Sequence, residues 1–350
     1  MKGKDNFEPR VLGDKYKLTR KLGKGSYGAV FECVEIKSQK KFAIKKIDDI
    51  ETNSDLKRVI REIMVLKAFN HENLLHVKAI HLEPKDKFFN VWLVTDLMDF
   101  DMFKVIRKGR HELTEDHIQY IMYQVFLGLY VLHHNNIVHR DIKPNNILLN
   151  DSCDLKICDF GFAREVLMAP GADITEYVVT RYYRAPEIML NSKKYGTEVD
   201  IWSVGCTFFE LLDCKILFNK TKNYIQLLAK IINLLGSPSD EALEFIQNPN
   251  ARKWIKQQKY SPLQRPSSKL TTKGINTHAK DLLDKCLNFD PRSRITAKQA
   301  LMHPYFADLF SEQDLNILQL EFDFSFENNP NLTGEQLKEK LMKEVKHLLF

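Results

Sequence analysis

The strongest constraint on the fold of this chain is a change of period near residue 100. Before it, β-branched and aromatic residues run in short stretches, Tyr16 to Leu22, Ala29 to Ile36, Lys41 to Ile47, Leu75 to Leu82 and Asn90 to Val94. These predict short strands, interrupted by one helical stretch from Asn53 to Phe69. After Asp101 the spacing becomes helical: Ile118, Ile121, Met122, Val125, Leu129 and Leu132 recur on one face, and Thr197 to Leu212, Tyr224 to Leu235 and Thr277 to Cys286 read the same way. A small sheet with one helix, followed by a mainly helical part, is an α+β pattern with its seam at Met98 to Asp101. A tail after His303 ends in a predicted amphipathic helix marked by Leu337, Leu341, Val345 and Leu348.

Composition sets the scale. A chain of 350 residues, 44% hydrophobic with 14 Gly and 12 Pro, buries a large core and is not disordered throughout. Its charge of +6, from 52 basic and 46 acidic residues mixed along the sequence, gives no argument for nucleic acid. Cys33, Cys153, Cys158, Cys206, Cys214 and Cys286 form no C-x-x-C pair, and no secretory leader is evident, so a reducing, cytoplasmic setting is expected. No apolar run approaches the roughly 18 to 20 residues that span a bilayer; Thr95 and Asp96 break the stretch from Val91 to Met98.

The chemistry enters with Gly23-Lys24-Gly25-Ser26-Tyr27-Gly28-Ala29-Val30, a G-x-G-x-x-G-x-V run in which glycines let backbone amides approach phosphate oxygens. An ordinary hairpin turn also contains such a run. A dinucleotide-binding site does not fit, because it needs a helix opening at the third glycine, and Ala29 to Ile36 is strand-like. The next strand carries Phe42-Ala43-Ile44-Lys45, close to V-A-I-K, which places a lysine within reach of nucleotide phosphates. Seventeen residues on, Glu62 offers a carboxylate to hold it; taken singly, Lys45 and Glu62 also read as solvated surface residues. The most specific run is His139-Arg140-Asp141-Ile142-Lys143-Pro144-Asn145-Asn146, which matches H-R-D-L-x-x-x-N with Ile for Leu. Asp159-Phe160-Gly161 and Ala185-Pro186-Glu187 follow in the expected order.

On these motifs the chain resembles a eukaryotic protein kinase over residues 16–306, and within that superfamily a MAP kinase. The resemblance implies a bilobal fold: an N-terminal extension (1–15), a β-rich N-lobe with one main helix (about 16–98), a larger mainly α C-lobe (about 99–306), and an extension (307–350) packing back on the domain. It implies ATP and Mg2+ as cofactors. Asp141 resembles the catalytic base, with Lys143 beside it and Lys45 and Glu62 as the phosphate-holding pair; Asn146 and Asp159 resemble the Mg2+ ligands. Leu22, Val30, Ala43, Leu148 and Cys158 would surround the nucleotide under Gly23, Gly25, Ser26 and Gly28, with Thr95 as gatekeeper and backbone at Asp96 and Met98 meeting adenine. For the apolar members, plain core packing remains an equal reading. Asp200 resembles the aspartate beneath the catalytic loop, and Arg294 the arginine that pairs with Glu187.

Regulation is implied by Thr175-Glu176-Tyr177, which resembles a MAP kinase activation lip with two phosphoacceptors. Each phosphate adds about 1.5 to 2 negative charges and needs arginines to order it. Arg61, Arg140 and Arg164 match the phosphothreonine set, and Arg181 and Arg184 the phosphotyrosine pair. The segment from Val179 to Arg184 implies protein substrates with Ser/Thr-Pro sites, and the resemblance adds an upstream dual-specificity MAP kinase kinase, phosphatases and docking-motif proteins, a monomer, and no nucleic acid or membrane partner. Nuclear entry is left open. Asp308, Glu312 and Asp314 resemble an acidic docking patch, although Ser311 stands where an aspartate is often found, and a solvated surface is the other reading. A pseudokinase scaffold is the alternative class, opposed by the presence of Lys45, Glu62, Asp141, Asn146 and Asp159; a cyclin-dependent-like kinase is opposed by the two lip acceptors.

Overall fold

The computed structural model describes residues 9–25, 28–48, 50–85, 89–109, 113–166, 181–190, 195–258 and 264–350; Ser26, Thr175 and Tyr177 lie outside them. The chain divides into two compact units, one of Met1–Asp99 with Ser325–Phe350 and the other of Phe100–Phe324. The tail is thus shared, 307–324 belonging to the second unit and 325–350 to the first.

The first unit is built on an antiparallel sheet of β1 (Val11–Leu12), β2 (Tyr16–Gly25), β3 (Gly28–Glu35), β4 (Lys41–Ile47), β5 (Val77–Pro84) and β6 (Phe89–Thr95), in the order β1-β2-β3-β4-β6-β5. Pleating separates its faces. One face buries Tyr16, Leu18, Cys33, Ile44, Trp92 and Val94 under Leu12 and Phe350. By register, Val30, Ala43, Lys45 and Thr95 share the other. Helix α1 (Asn53–Ala68) starts at Thr52, whose hydroxyl accepts the Asp55 N–H while Asp55 takes the Thr52 N–H, a reciprocal cap that satisfies two orphan donors. The tail helix Gly334–Val345 starts from a similar box, Thr333 with Gln336, and packs on α1, burying Leu337, Leu341 and Val345. Leu348, expected on the same helix, lies beyond it. Its carbonyl accepts the Ile80 N–H at 2.7 Å and Ile80 accepts the Phe350 N–H at 3.2 Å, so the exposed edge of β5 takes the last residues as a parallel bridge and ends the helical run.

The second unit comprises β7 (Phe100–Asp101), α2 (Met102–Lys108), α3 (Glu115–His134), β8 (Ile137–Val138), β9 (Ile147–Leu149), β10 (Leu155–Ile157), β11 (Arg164–Glu165), α4 (Pro186–Met189), α5 (Glu198–Asp213), α6 (Tyr224–Leu235), α7 (Pro249–Gln257), α8 (Thr277–Cys286) and α9 (Ala297–Leu301). Its two small sheets run β10-β9-β7 and β11-β8. Every residue of α5 from Val199 to Asp213 is buried, Trp202 and Phe208 among them, as a helix enclosed on all sides must be, and Phe126, Tyr305 and Phe306 add to the core of this unit. Among the described residues no helix is long and apolar enough to cross a membrane.

Candidate active site

The first unit contributes the glycine hairpin and the lysine. Lys45 sits in β4 between Val30 of β3 and Leu93 of β6, and its Nζ donates to Glu62 Oε1 at 2.6 Å. Glu62 is 4% exposed, held there by α1, so the pair forms in a poorly hydrated setting where a charge-assisted bond is strong. Thr95 lies opposite Ala43, and Lys78 approaches Asp96 at 3.4 Å. The glycines differ in what they permit. A Cβ on Gly28, at φ +148°, would stand 1.7 Å from the Lys46 carbonyl oxygen, so this residue is glycine because β4 passes close by. Gly23 has open space where its Cβ would be.

The second unit carries, within itself, the loop between β8 and β9. Asp200, fully buried at the start of α5, accepts the backbone N–H of His139 (2.8 Å) and of Arg140 (2.8 Å) and bonds His133 Nε2 at 3.0 Å. Burial pushes this carboxyl up, but the His133 hydrogen bond and the surrounding positive charge outweigh it, and its pKa lies below the ordinary value. These bonds hold Arg140 in the left-handed region, at φ 69°, where a non-glycine residue persists only if its surroundings impose it. The Asp141 N–H donates to His139 Nδ1 at 3.2 Å, which fixes Nε2 as the donor to the Cys158 carbonyl at 3.0 Å. The His139 ring also meets Phe160 edge-on at 5.3 Å. This side chain therefore ties the Asp141 loop to the segment that carries Asp159.

Asp141 itself is 6% exposed. Its Oδ2 accepts Lys143 Nζ at 2.7 Å and Asn146 Nδ2 at 2.9 Å, and the same amide nitrogen donates to the Asp141 carbonyl at 2.8 Å. Burial raises the Asp141 carboxyl above its ordinary pKa, and Lys143 offsets only part of the effect. A buried carboxylate of raised basicity is suited to accept a hydroxyl proton. Because both bonds to Asp141 use the Asn146 nitrogen, its amide oxygen is turned away as an acceptor. Asp159, at φ 66° before the single turn Phe160–Phe162, is the other oxygen donor expected for Mg2+. A carboxylate and an amide oxygen are hard ligands, and two protein ligands suit a Mg2+ that completes its shell with phosphate and water, so the donor set fits the ion.

The predicted phosphate-binding arginines differ in their present partners. Arg140, with its guanidinium 5.4 Å from the Tyr195 ring, lies below its ordinary pKa, mainly through burial and further through the like charges of Arg164 and Arg184. The Asp200 carboxylate acts on Arg140 in the opposite sense. Arg184 donates to the Tyr224 hydroxyl at 2.5 Å, and Arg181 donates to the Lys222 carbonyl; both lie over the Tyr224 ring, at 5.4 and 5.8 Å. In the first unit Arg61 Nε donates to Glu327 Oε1 at 2.6 Å in a pair whose side chains are 5% and 2% exposed. In the acidic tail, Asp314 is engaged within the fold. It accepts the Tyr123 hydroxyl and caps the turn Glu312–Leu315 reciprocally with Ser311, while Asp308 and Glu312 are exposed. Arg294 and Glu187 form a bidentate pair, with Nη2 to Oε2 at 2.7 Å, at 0% and 2% exposure.

Sequence reasoning missed His133, Tyr195, Tyr224 and Glu327. None lies in a run with a fixed spacing to the motifs, and each meets its partner through the fold.

The protein kinase domain family matches residues 16–306. Mitogen-activated protein kinase 6 of Arabidopsis thaliana is 42% identical over 96% of this chain and 85% of its own length. Mitogen-activated protein kinase 3 of the same plant is 41% identical over 96% and 91%. Mitogen-activated protein kinase 4a of Physcomitrium patens is 43% identical over 93% and 86%. Likeness of this extent, on a chain whose β-rich unit carries the Lys45–Glu62 pair and whose helical unit carries the Asp141 loop, makes it a Ser/Thr protein kinase with the bilobal fold and a member of the mitogen-activated protein kinase family.

Proposed function

We propose that this kinase transfers the γ-phosphate of Mg-ATP to Ser or Thr followed by Pro, and that phosphorylation of both Thr175 and Tyr177 by an upstream dual-specificity kinase activates it. The observation that carries the reading is the Asp141 carboxylate, buried, raised in basicity and approached on Oδ2 by Lys143 and Asn146. Asp141 orients the substrate hydroxyl and receives its proton. Lys143 offers its charge to the transferring phosphoryl group, and Lys45, steadied by Glu62, binds the α and β phosphates. Asn146 and Asp159 hold Mg2+, which supplies neutralisation of phosphate charge. The gain comes from placement and fixed charge.

The regulatory part is supported by the like charges of Arg164 and Arg184 acting on Arg140, to which a phosphate of two charges offers a counter-charge; in this reading Arg61, Arg140 and Arg164 take the phosphothreonine and Arg181 and Arg184 the phosphotyrosine. Residues 16–306 form the kinase domain in this reading, and Asp308, Glu312 and Asp314 carry the docking charge. In this reading the protein acts in the cytoplasm. The test is phosphate transfer to paired Ser/Thr-Pro and Ser/Thr-Ala peptides by doubly phosphorylated, unphosphorylated and Asp141→Asn proteins. Only the phosphorylated wild type works, mainly on the proline peptides; full activity without lip phosphorylation would sink the regulatory part, and inactivity of every form the catalytic one.

A further inference from the structure

Adjacent residues of α1 each make an ion pair in the first unit, to different partners. Glu62 takes Lys45 from the sheet at 2.6 Å. Arg61 gives Nε and Nη2 to Glu327 Oε1, both at 2.6 Å, and both arginine and glutamate come from buried surroundings. Successive residues of an α-helix point about 100° apart. The helix is therefore tied at two azimuths, one to β4 and one to the tail, and two such ties resist rotation about its axis where one would not.

The tail side carries further ties along one stripe. Asn53 Nδ2 donates to the Leu332 carbonyl at 3.3 Å, Lys57 Nζ to the carbonyls of Glu327 (3.0 Å) and Asn329 (3.1 Å), and Lys67 pairs with Glu344. Asn53, Lys57 and Arg61 follow one another at i, i+4 and i+8, the spacing that stacks side chains on one helix face. Lys57 thus fixes the backbone of the residue whose carboxylate Arg61 uses.

We propose that Glu327 is a positioning residue for phosphate transfer: through Arg61 it fixes the rotation of α1 and with it the Lys45–Glu62 pair. The inference rests on the reading that Lys45 binds ATP phosphates. The lever is short. Side-chain tips lie about 5 to 6 Å from a helix axis, so a roll of about 20° carries a tip about 2 Å, enough to open a 2.6 Å contact beyond 4 Å. Removing the Glu327 charge weakens one of the two ties that set the azimuth of α1.

The experiment is a double-mutant cycle on the full chain, read as the affinity for a non-hydrolysable ATP analogue with Mg2+. Glu327→Gln is expected to weaken binding about 5- to 20-fold and Lys45→Met at least as much, while the double variant binds no more weakly than Lys45→Met alone. In peptide assays Glu327→Gln raises the ATP KM together with a fall in kcat, and Glu327→Asp, which keeps the charge, restores part of both. If the two substitutions multiply, Glu327 acts through general stability and the proposal falls. It falls too if folded Glu327→Gln binds the analogue like wild type. If Lys45→Met alone leaves binding unchanged, the reading of Lys45 fails instead. Should Glu327→Gln not fold, Lys57→Met, which releases the same stretch of tail without burying a lone charge, enters the cycle in its place with the same expected pattern.

Discussion

Replacing Asp200 by Asn removes one charge and one acceptor from beneath the catalytic loop. In the wild type Oδ2 serves the His139 N–H at 2.8 Å and His133 Nε2 at 3.0 Å, and Oδ1 serves the Arg140 N–H at 2.8 Å. An amide keeps a single oxygen. Turned to retain the two donors on the Oδ2 side, it faces its NH2 against the Arg140 N–H, so one buried backbone donor loses its partner at about 1–3 kcal/mol. The two retained bonds change from a charged to a neutral acceptor, each weakening by about 1 kcal/mol. Relief of burying a charge returns part of this, leaving a net loss of about 3 kcal/mol. For a unit of this size that lowers its melting midpoint by about 6–12 °C. Because the folded Asp200 pKa is depressed, its contribution is present above the unfolded value of about 3.9 and is lost as pH falls through the folded value. Urea denaturation of both proteins at pH 7, 5 and 4 is the assay, with peptide phosphorylation alongside. The stability gap should hold at pH 7 and 5 and begin to close at 4, and kcat should fall by about 100-fold as the Asp141 loop shifts. A gap under about 1 kcal/mol at pH 7 would refute the argument that these three bonds hold the loop.

Asp141→Asn should act in opposite directions on activity and stability. The raised pKa means that the ionised form costs the fold stability as pH rises from the ordinary carboxylate value through the folded one, so the variant melts higher at pH 7 while transfer falls about 10²- to 10⁴-fold; thermal melting and initial rates read the two effects. The same direction places the acid limb of the wild-type kcat/KM profile above the ordinary carboxylate range. Arg294→Met leaves Glu187 as a lone buried charge and should cost about 3–5 kcal/mol in urea denaturation, most of it recovered by adding Glu187→Leu. Gly28→Ala should destabilise the protein by more than about 1 kcal/mol and shift its melting midpoint down, because the added methyl meets the Lys46 carbonyl at a backbone angle that L-residues avoid.

What could be read from the sequence was what local spacing encodes. The helices Tyr224–Leu235 and Thr277–Cys286 stand where periodicity put them, and the Asp141–Lys143–Asn146 cluster is compact because those residues are near neighbours on one loop. Lys45 and Glu62, seventeen residues apart, were legible because a strand and a helix of ordinary length bring them together. The Arg61–Glu327 pair spans 266 residues and has no local trace. Asp314 had one that the docking reading overlooked: Ser311-Glu312-Gln313-Asp314 is a capping-box pattern, which commits the aspartate to backbone before any partner arrives. Leu348 continues the helical period of Leu341 and Val345, but periodicity does not see the open edge of β5 that claims its carbonyl.

Sequence also counted cations without their partners, and the partners decide which cations a phosphate can recruit. Arg184 rests on a phenol hydroxyl and an aromatic face, and Arg140 lies over another ring, both neutral neighbours that a doubly charged group outcompetes. Arg61 is held by a carboxylate buried with it. The two kinds of arginine should therefore respond differently to salt. Binding through Arg140 and Arg184 builds new charge pairs and weakens as ionic strength rises, whereas the buried pair at Arg61 is screened little. The buried tie between α1 and the tail should therefore persist at ionic strengths that weaken the more exposed pairs.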